Sequence, residues 1–205
     1  MQDYSCLPSG LIDKNDPDVL LSFKEKRKMK NNRPGKPRNA KSQKRVPQQS
    51  LIVEAIVEIP RGSRNKYEMD HTTNQIRLDR VLYSSVHYPT DYGFIPGTMS
   101  GDGDPVDVLI VVEEPTFPGC HVVVRLIGVL LMKDEKGLDE KFIAVPLADP
   151  RFDGISDIND LQPHLLLEIE NFFVTYKDLE SGKETKVEGW KKAADVGRLL
   201  KKYQA

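Results

Sequence analysis

The sequence predicts a mainly β domain with two C-terminal helices, a small barrel or sandwich behind a basic N-terminal arm. Three observations carry this. From residue 51 onward, short runs of β-branched and aromatic residues alternate with turn residues. Apolar residues at three-to-four spacing come only after residue 160. The charge changes sign near residue 50: residues 1–50 carry a net of +7 and residues 51–205 a net of −8. At 205 residues the chain holds one domain of ordinary size.

The arm comes first. Asp16-Pro17-Asp18 reads as a helix start, with a capping Asp and Pro at the first helical position. Val19, Leu20 and Phe23 give it a short apolar face, and the basic residues 24–30 suit its C-terminal end. A short, marginal helix is expected over 17–30. Residues 31–49 are rich in Pro, Lys and Arg and have no core pattern, so they read as a linker or solvated arm. The expected division is an arm over 1–48 and a folded body over 49–205.

The body opens with Leu51-Ile52-Val53-Glu54-Ala55-Ile56-Val57-Glu58-Ile59, a β-rich run stopped by Pro60-Arg61-Gly62. Residues 66–70 and 76–83 follow as strands, the latter alternating cleanly, with Gly62 and Asn74 as turn residues. Further strands are expected at 107–112, 122–130 and 142–146. Leu161, Leu165, Ile169, Phe172, Phe173 and Tyr176 fall on one helical face, with Asp160 as a cap. A second, shorter helix fits residues 190–203.

The chemistry centres on Asp102-Gly103-Asp104-Pro105-Val106-Asp107. Gly103 and Pro105 exclude regular helix or central strand there. The apolar run 108–112 follows at once, so the loop crowds three carboxylates at the mouth of a buried strand. Like charges this close raise each other's pKa unless a cation sits among them, and hard cations such as Mg²⁺ prefer carboxylate oxygen. An EF-hand reading fails. With Asp102 at position 1, position 6 is Asp107 where Gly is required, and a strand follows instead of a helix.

A second acidic group, Asp134-Glu135-Lys136-Gly137-Leu138-Asp139-Glu140-Lys141, lies at the ends of two long strands. If the two groups meet, five aspartates join Glu58 and Glu68 in a cluster that calls for divalent metal. Lys66, Arg80, Lys141 and Lys177 are interspersed, with Tyr92 and Tyr176. Metals combined with such donors suit a highly charged phosphate ligand.

The acid loop resembles the signature of the family I, Mg²⁺-dependent soluble inorganic pyrophosphatases. So do Glu58-Ile59-Pro60, Asn65-Lys66-Tyr67-Glu68, Leu78-Asp79-Arg80, residues 88–95 and Asp134-Glu135-Lys136-Gly137. Phe172-Phe173, residues 176–180 and Val187-Glu188-Gly189-Trp190 complete the series in family order, over about residues 51–203. The resemblance implies a five-stranded, OB-like β-barrel with flanking helices, and hydrolysis of pyrophosphate to two phosphates.

Carried over by position, it implies that Asp102, Asp107, Asp134 and Asp139 hold several Mg²⁺ ions, with Glu58 and Glu68 acting on metal through water. It implies that Lys66, Arg80, Tyr92, Lys141, Tyr176 and Lys177 bind substrate and product phosphates, and that Asp104 is the general base. It also implies a homo-oligomer, a hexamer in bacterial members. Many of those members carry histidines beside the Phe-Phe pair at a subunit contact, where this chain has Asn171 and Thr175.

From another class, the alternative is an OB-type nucleic-acid-binding module with a basic arm over 24–45. The acidic body argues against it, so nucleic acid is not the expected partner. No run of 18 apolar residues spans a membrane, and no apolar signal core opens the chain. Cys6 and Cys120 form no framework of pairs. A cytoplasmic location is expected.

Overall fold

Nine residues of alternating burial begin the folded body. The computed structural model describes residues 51–101, 103–135 and 137–204. The arm over 1–48, its expected helix at 17–30, and Asp102 lie outside the described residues. Strand β1 (Leu51–Ile59) buries Val53, Ala55, Val57 and Ile59 on one side and leaves Glu54, Ile56 and Glu58 partly exposed. That is the period-2 pattern of a strand with one buried face.

Seven more strands follow: β2 (Asn65–Asp70), β3 (Gln75–Val81), β4 (Asp91–Phe94), β5 (Asp107–Ile110), β6 (His121–Asp134), β7 (Gly137–Pro146) and β8 (Thr185–Lys192). In the main sheet the order is β1-β4-β5-β7-β6-β8, and β1 also pairs with β6. That extra pairing closes β1, β4, β5, β7 and β6 into a ring of five strands, with β8 added along the distal half of β6. The five-stranded OB-like expectation matches this ring. The pairing of β5 with β7 is parallel, and the others in the ring are antiparallel. Separately, β2 and β3 form a two-stranded hairpin.

Ring closure depends on a close approach at Gly93, which pairs with Val57. A Cβ built there would lie 1.9 Å from the Ile56 carbonyl oxygen, so any side chain would push β4 off β1.

Two helices cover the ring: α1 (Pro163–Thr175) and α2 (Ala193–Leu200). Residues of β7 divide between two apolar clusters. Ile143 and Val145 pack with Ile169, Phe172 and Phe173 of α1. Phe142 and Ala144 pack with Val196, Leu199 and Leu200 of α2. A strand buried on both faces reads as a continuous apolar run, as residues 142–145 do.

Four expectations need correction. Residues 190–192 belong to β8, and the second helix begins only at Ala193. The strands expected at 122–130 and 142–146 are longer and meet in a hairpin, so Asp134 and Asp139 sit on strands rather than in a loop. The strand expected to reach Val112 ends at Ile110. Asp160 does not cap α1: its carboxylate accepts from the Ser156 and Asp157 amides and closes a 3₁₀ turn at Ile158–Asp160. Helix α1 starts instead with Pro163 in its first turn.

Candidate active site

The acid loop leads into β5. Within it, Gly103 takes φ +93, a left-handed conformation that L side chains rarely adopt. The Thr98 hydroxyl donates to the Ile95 carbonyl (2.6 Å) and accepts from the Val106 amide (2.9 Å), pinching the base of the loop. Asp107 is the first residue of β5.

Next to β5 in the ring, β7 brings Asp139 and Lys141 onto the same face, two residues apart. The buried Lys141 ammonium donates to Asp107 Oδ2 (2.7 Å), Asp139 Oδ1 (2.8 Å) and the Tyr92 hydroxyl (3.1 Å). It also lies 5.4 Å and 5.3 Å from the ring centres of Tyr92 and Phe173. Burial alone would lower its pKa, but the charges of Asp107 and Asp139 win and hold it above the ordinary lysine value. The ammonium therefore stays charged. Burial, with the charge of Asp107, pushes the Asp139 carboxyl above its ordinary range although Lys141 opposes the shift.

At the far end of β6, Asp134 Oδ2 accepts from the Lys177 ammonium at 3.1 Å, and Glu135 Oε2 does so at 3.4 Å. Lys177 and Tyr176 follow directly on α1. Tyr176 stacks on Phe172, centroids 5.2 Å apart, and Phe172 packs on Tyr88 at 4.7 Å. Tyr88 in turn meets Tyr92 edge-on at 5.5 Å. These rings form an apolar floor between Lys141 and Lys177. Burial raises the pKa of Tyr88, Tyr92 and Tyr176 alike, so their hydroxyls remain donors.

The β2–β3 hairpin supplies a third set. Lys66 lies opposite Arg80 in register, and Asp79 Oδ2 accepts from both, at 3.2 Å from Lys66 and 2.5 Å from Arg80. Lys66 also pairs with Glu68. Arg80 Nε donates to Glu180 Oε1 at 3.0 Å, which ties the hairpin to the segment after α1. Glu180 is buried and also pairs with Lys183 at 3.1 Å.

Glu58 closes the group from β1. Its carboxylate accepts from the Met69 amide at 2.7 Å, which pins β2 to β1. Burial, aided by the charges of Asp107 and Glu68 and opposed by Met69 and Lys66, lifts its pKa to about 7. Burial is the main cause, so this carboxyl stays partly protonated at neutral pH.

The structure thus gathers Glu58, Tyr92, Asp107, Asp139 and Lys141 at one end of the ring. Arg80, Tyr176 and Lys177 line up beside them, and Glu68 joins through Lys66. Asp104 is an exposed loop residue whose carbonyl accepts from the Ser100 amide at 2.7 Å. Sequence reasoning gave no role to Asp79, Tyr88 or Glu180. All three stand inside the quoted motif segments, and their acid or phenol character was the available signal.

A family model described as inorganic pyrophosphatase matches residues 55–205. The chain belongs to the inorganic pyrophosphatase family. An inorganic pyrophosphatase of Leifsonia xyli subsp. xyli is 51% identical over 147 residues, covering 72% of this chain and 90% of that protein. The crystal structure of the inorganic pyrophosphatase from Thermus thermophilus superposes with a TM-score of 0.72 at 44% identity, over 80% of this chain and 92% of that one. A type I inorganic pyrophosphatase from Toxoplasma gondii superposes at 0.68 with 27% identity, over 75% and 78%. Such pyrophosphatase matches give the nucleic-acid-binding alternative no support. Among the described residues no helix is long and apolar enough to cross a membrane.

In pyrophosphatase terms the donor set fits a hard divalent cation. Glu58, Asp107, Asp134 and Asp139 offer carboxylate oxygens, the donors such a cation prefers.

Proposed function

We propose that this chain hydrolyses inorganic pyrophosphate to two phosphates, with Mg²⁺ as its divalent cofactor. The observation that carries the reading is the interleaving of acids and cations at one end of the ring, centred on Lys141 between Asp107 and Asp139. A plain acidic cluster would repel pyrophosphate, and a plain basic one would bind any polyanion. Acids that take up Mg²⁺ beside fixed cations select a small, highly charged phosphate.

Asp102, Asp107, Asp134 and Asp139 would hold the cations directly, and Glu58 and Glu68 through water. When bound, such cations lower the pKa of a water and neutralise phosphate charge. The rest is the work of side chains. Arg80 offers its planar fork of donors to phosphate oxygens, oriented by Glu180 and Asp79. Lys66, Lys141 and Lys177 add point charges where charge builds up on the transferring and departing phosphates. Tyr92 and Tyr176 donate hydroxyl hydrogens, and the rings beneath them exclude bulk water. A carboxylate oxygen of Asp104 accepts the proton of the attacking water as its oxygen bonds phosphorus and the bridging P–O bond breaks.

The same reading carries a homo-oligomer, a hexamer by the family resemblance, and a cytoplasmic location. Light scattering and cell fractionation test these two. For the activity, phosphate release is measured from pyrophosphate and from a simple phosphomonoester, with Mg²⁺ and after exhaustive chelation. Release from pyrophosphate alone, and only with the metal, is expected. Full activity after chelation would refute the role of the cofactor.

A further inference from the structure

The acid loop is held from two sides. Its base is pinched by the Thr98 hydroxyl and by the Ile95 amide, which donates to the Val106 carbonyl at 2.9 Å. Further out, the Met99 amide donates to the carbonyl of Tyr203 at 2.8 Å, and Thr98 bridges Gln204 in antiparallel fashion. The N-terminal end of the loop is therefore tied to residues just after α2.

Tyr203 reaches the other way through its side chain. Its hydroxyl donates to Glu140 Oε2 at 2.7 Å. The Glu140 side chain is only 6% exposed, and Lys202 holds its second oxygen at 3.3 Å. The Tyr203 ring packs edge-on against Phe142, centroids 6.4 Å apart. Glu140 stands between Asp139 and Lys141 on β7, so it points to the opposite face of the strand. Burial and the charge of Glu140 keep the Tyr203 phenol above its ordinary pKa, so it remains a donor.

We propose that Tyr203 is a positioning residue for the acid loop: its hydroxyl is anchored on Glu140 of β7 while its carbonyl holds the Met99 amide. This holds Met99, and through the Thr98 pinch Val106, against the strand that carries Asp139 and Lys141. Asp107 opens β5 just before the first residue paired with β7, Val108, so its distance from Asp139 depends on how the loop enters the strand as well as on the pairing of β5 with β7. Tyr203 spans the contact between the loop and β7 from behind, without touching the site. The functional part of the claim rests on the roles given above to Asp104 and Asp107.

The test uses the full chain in three variants: Tyr203→Phe, Glu140→Gln, and a chain ending at Lys202. Amide hydrogen exchange is measured without metal, and Mg²⁺ binding by calorimetry without substrate. Ending at Lys202 removes the carbonyl and the hydroxyl together. Exchange of Met99 and the loop amides should then quicken on the order of tenfold, with Mg²⁺ bound on the order of tenfold more weakly. Tyr203→Phe keeps the carbonyl and should change each by about threefold. Glu140→Gln keeps an acceptor oxygen and should do less than Tyr203→Phe.

Unchanged loop exchange in Tyr203→Phe and in the shortened chain would overturn the proposal. So would faster exchange at unchanged Mg²⁺ affinity, which is what a chain end that merely packs would give. If the shortened chain does not fold, Tyr203→Phe against Glu140→Gln decides. If the parent takes up no Mg²⁺, the metal reading fails, and the exchange measurement still decides whether Tyr203 holds the loop.

Discussion

Replacing Lys141 with Met would take a buried ammonium from between two carboxylates and keep the length of the side chain. Asp107 and Asp139, which accept from it at 2.7 and 2.8 Å, would then face each other with no cation between them. Removing one member of a buried ion pair costs about 3–5 kcal/mol. The two acids keep 29% and 23% of their side-chain surface in water, which favours the lower end, about 3 kcal/mol. For a body of this size that is a fall in Tm of roughly 6–12 °C.

The loss should depend on pH. Asp139 already titrates above its ordinary value because burial and Asp107 outweigh Lys141, and without Lys141 it must rise further. A carboxyl with a folded pKa above its unfolded one favours folding while protonated and stops doing so as pH rises through the folded value. The deficit should be nearly absent below about pH 4 and larger at pH 8 than at pH 5. Thermal unfolding in a chelator at pH 5 and 8 measures it, with Lys141→Arg as the charge-keeping control. Added Mg²⁺ should narrow the gap by supplying charge to the same acids. Equal Tm values for Lys141→Met and the parent at pH 8 without metal would refute the placement of this ammonium.

Three further outcomes follow from the site. Asp104→Asn should leave Mg²⁺ binding near that of the parent while kcat falls on the order of 10²–10⁴-fold, whereas Asp107→Asn should lose metal affinity and turnover together; calorimetry and kcat against pH for both variants separate the roles. Arg80→Ala should lower kcat/KM on the order of 10²-fold, since it removes a donor fork and leaves buried Glu180 short of a partner; unchanged kinetics would place Arg80 outside the reaction. Removing residues 1–48 should leave specific activity within a few-fold, because every residue given a role lies at or beyond Glu58; a large fall in a folded truncation would bring the arm into the site.

Periodicity carried most of the ring. β1, β5, β6 and β7 declare themselves by alternation or by an apolar run, and the helical stripe ending at Tyr176 found α1. Two strands escaped. β4 is four residues long and holds Gly93, so propensity says little about it, and its place comes from partners on β1 and β5. In β8, Trp190 with Val196, Leu199 and Leu200 mimics helical spacing, while Gly189 at φ +119 breaks the alternation a strand would show. The site was legible as a set of charges because acids this dense require partners. Which cation meets which acid was not. Lys141 between Asp107 and Asp139 follows from the parallel pairing of β5 with β7, a tertiary fact. Glu180 on Arg80 spans a separation of 100 residues and left no local signal.

Closing five strands into a ring has a consequence for how copies of the chain behave when crowded. Within the ring β1 is bounded by β4 and β6, so these strands offer little open ladder to a neighbouring molecule. Among the described residues of the main sheet, the outer edge of β8 stays open, with its backbone donors and acceptors in a row. That edge is poor in sticky side chains. Lys186, Glu188 and Lys192 point outward and are exposed, Lys191 is close by, and Gly189 with the register shift between Leu131 and Met132 bends the strand. A kinked, lysine-bearing border is a poor template for edge-to-edge stacking. The residues that hide β8 from a helical or strand-like reading also guard the sheet against fibrous self-association.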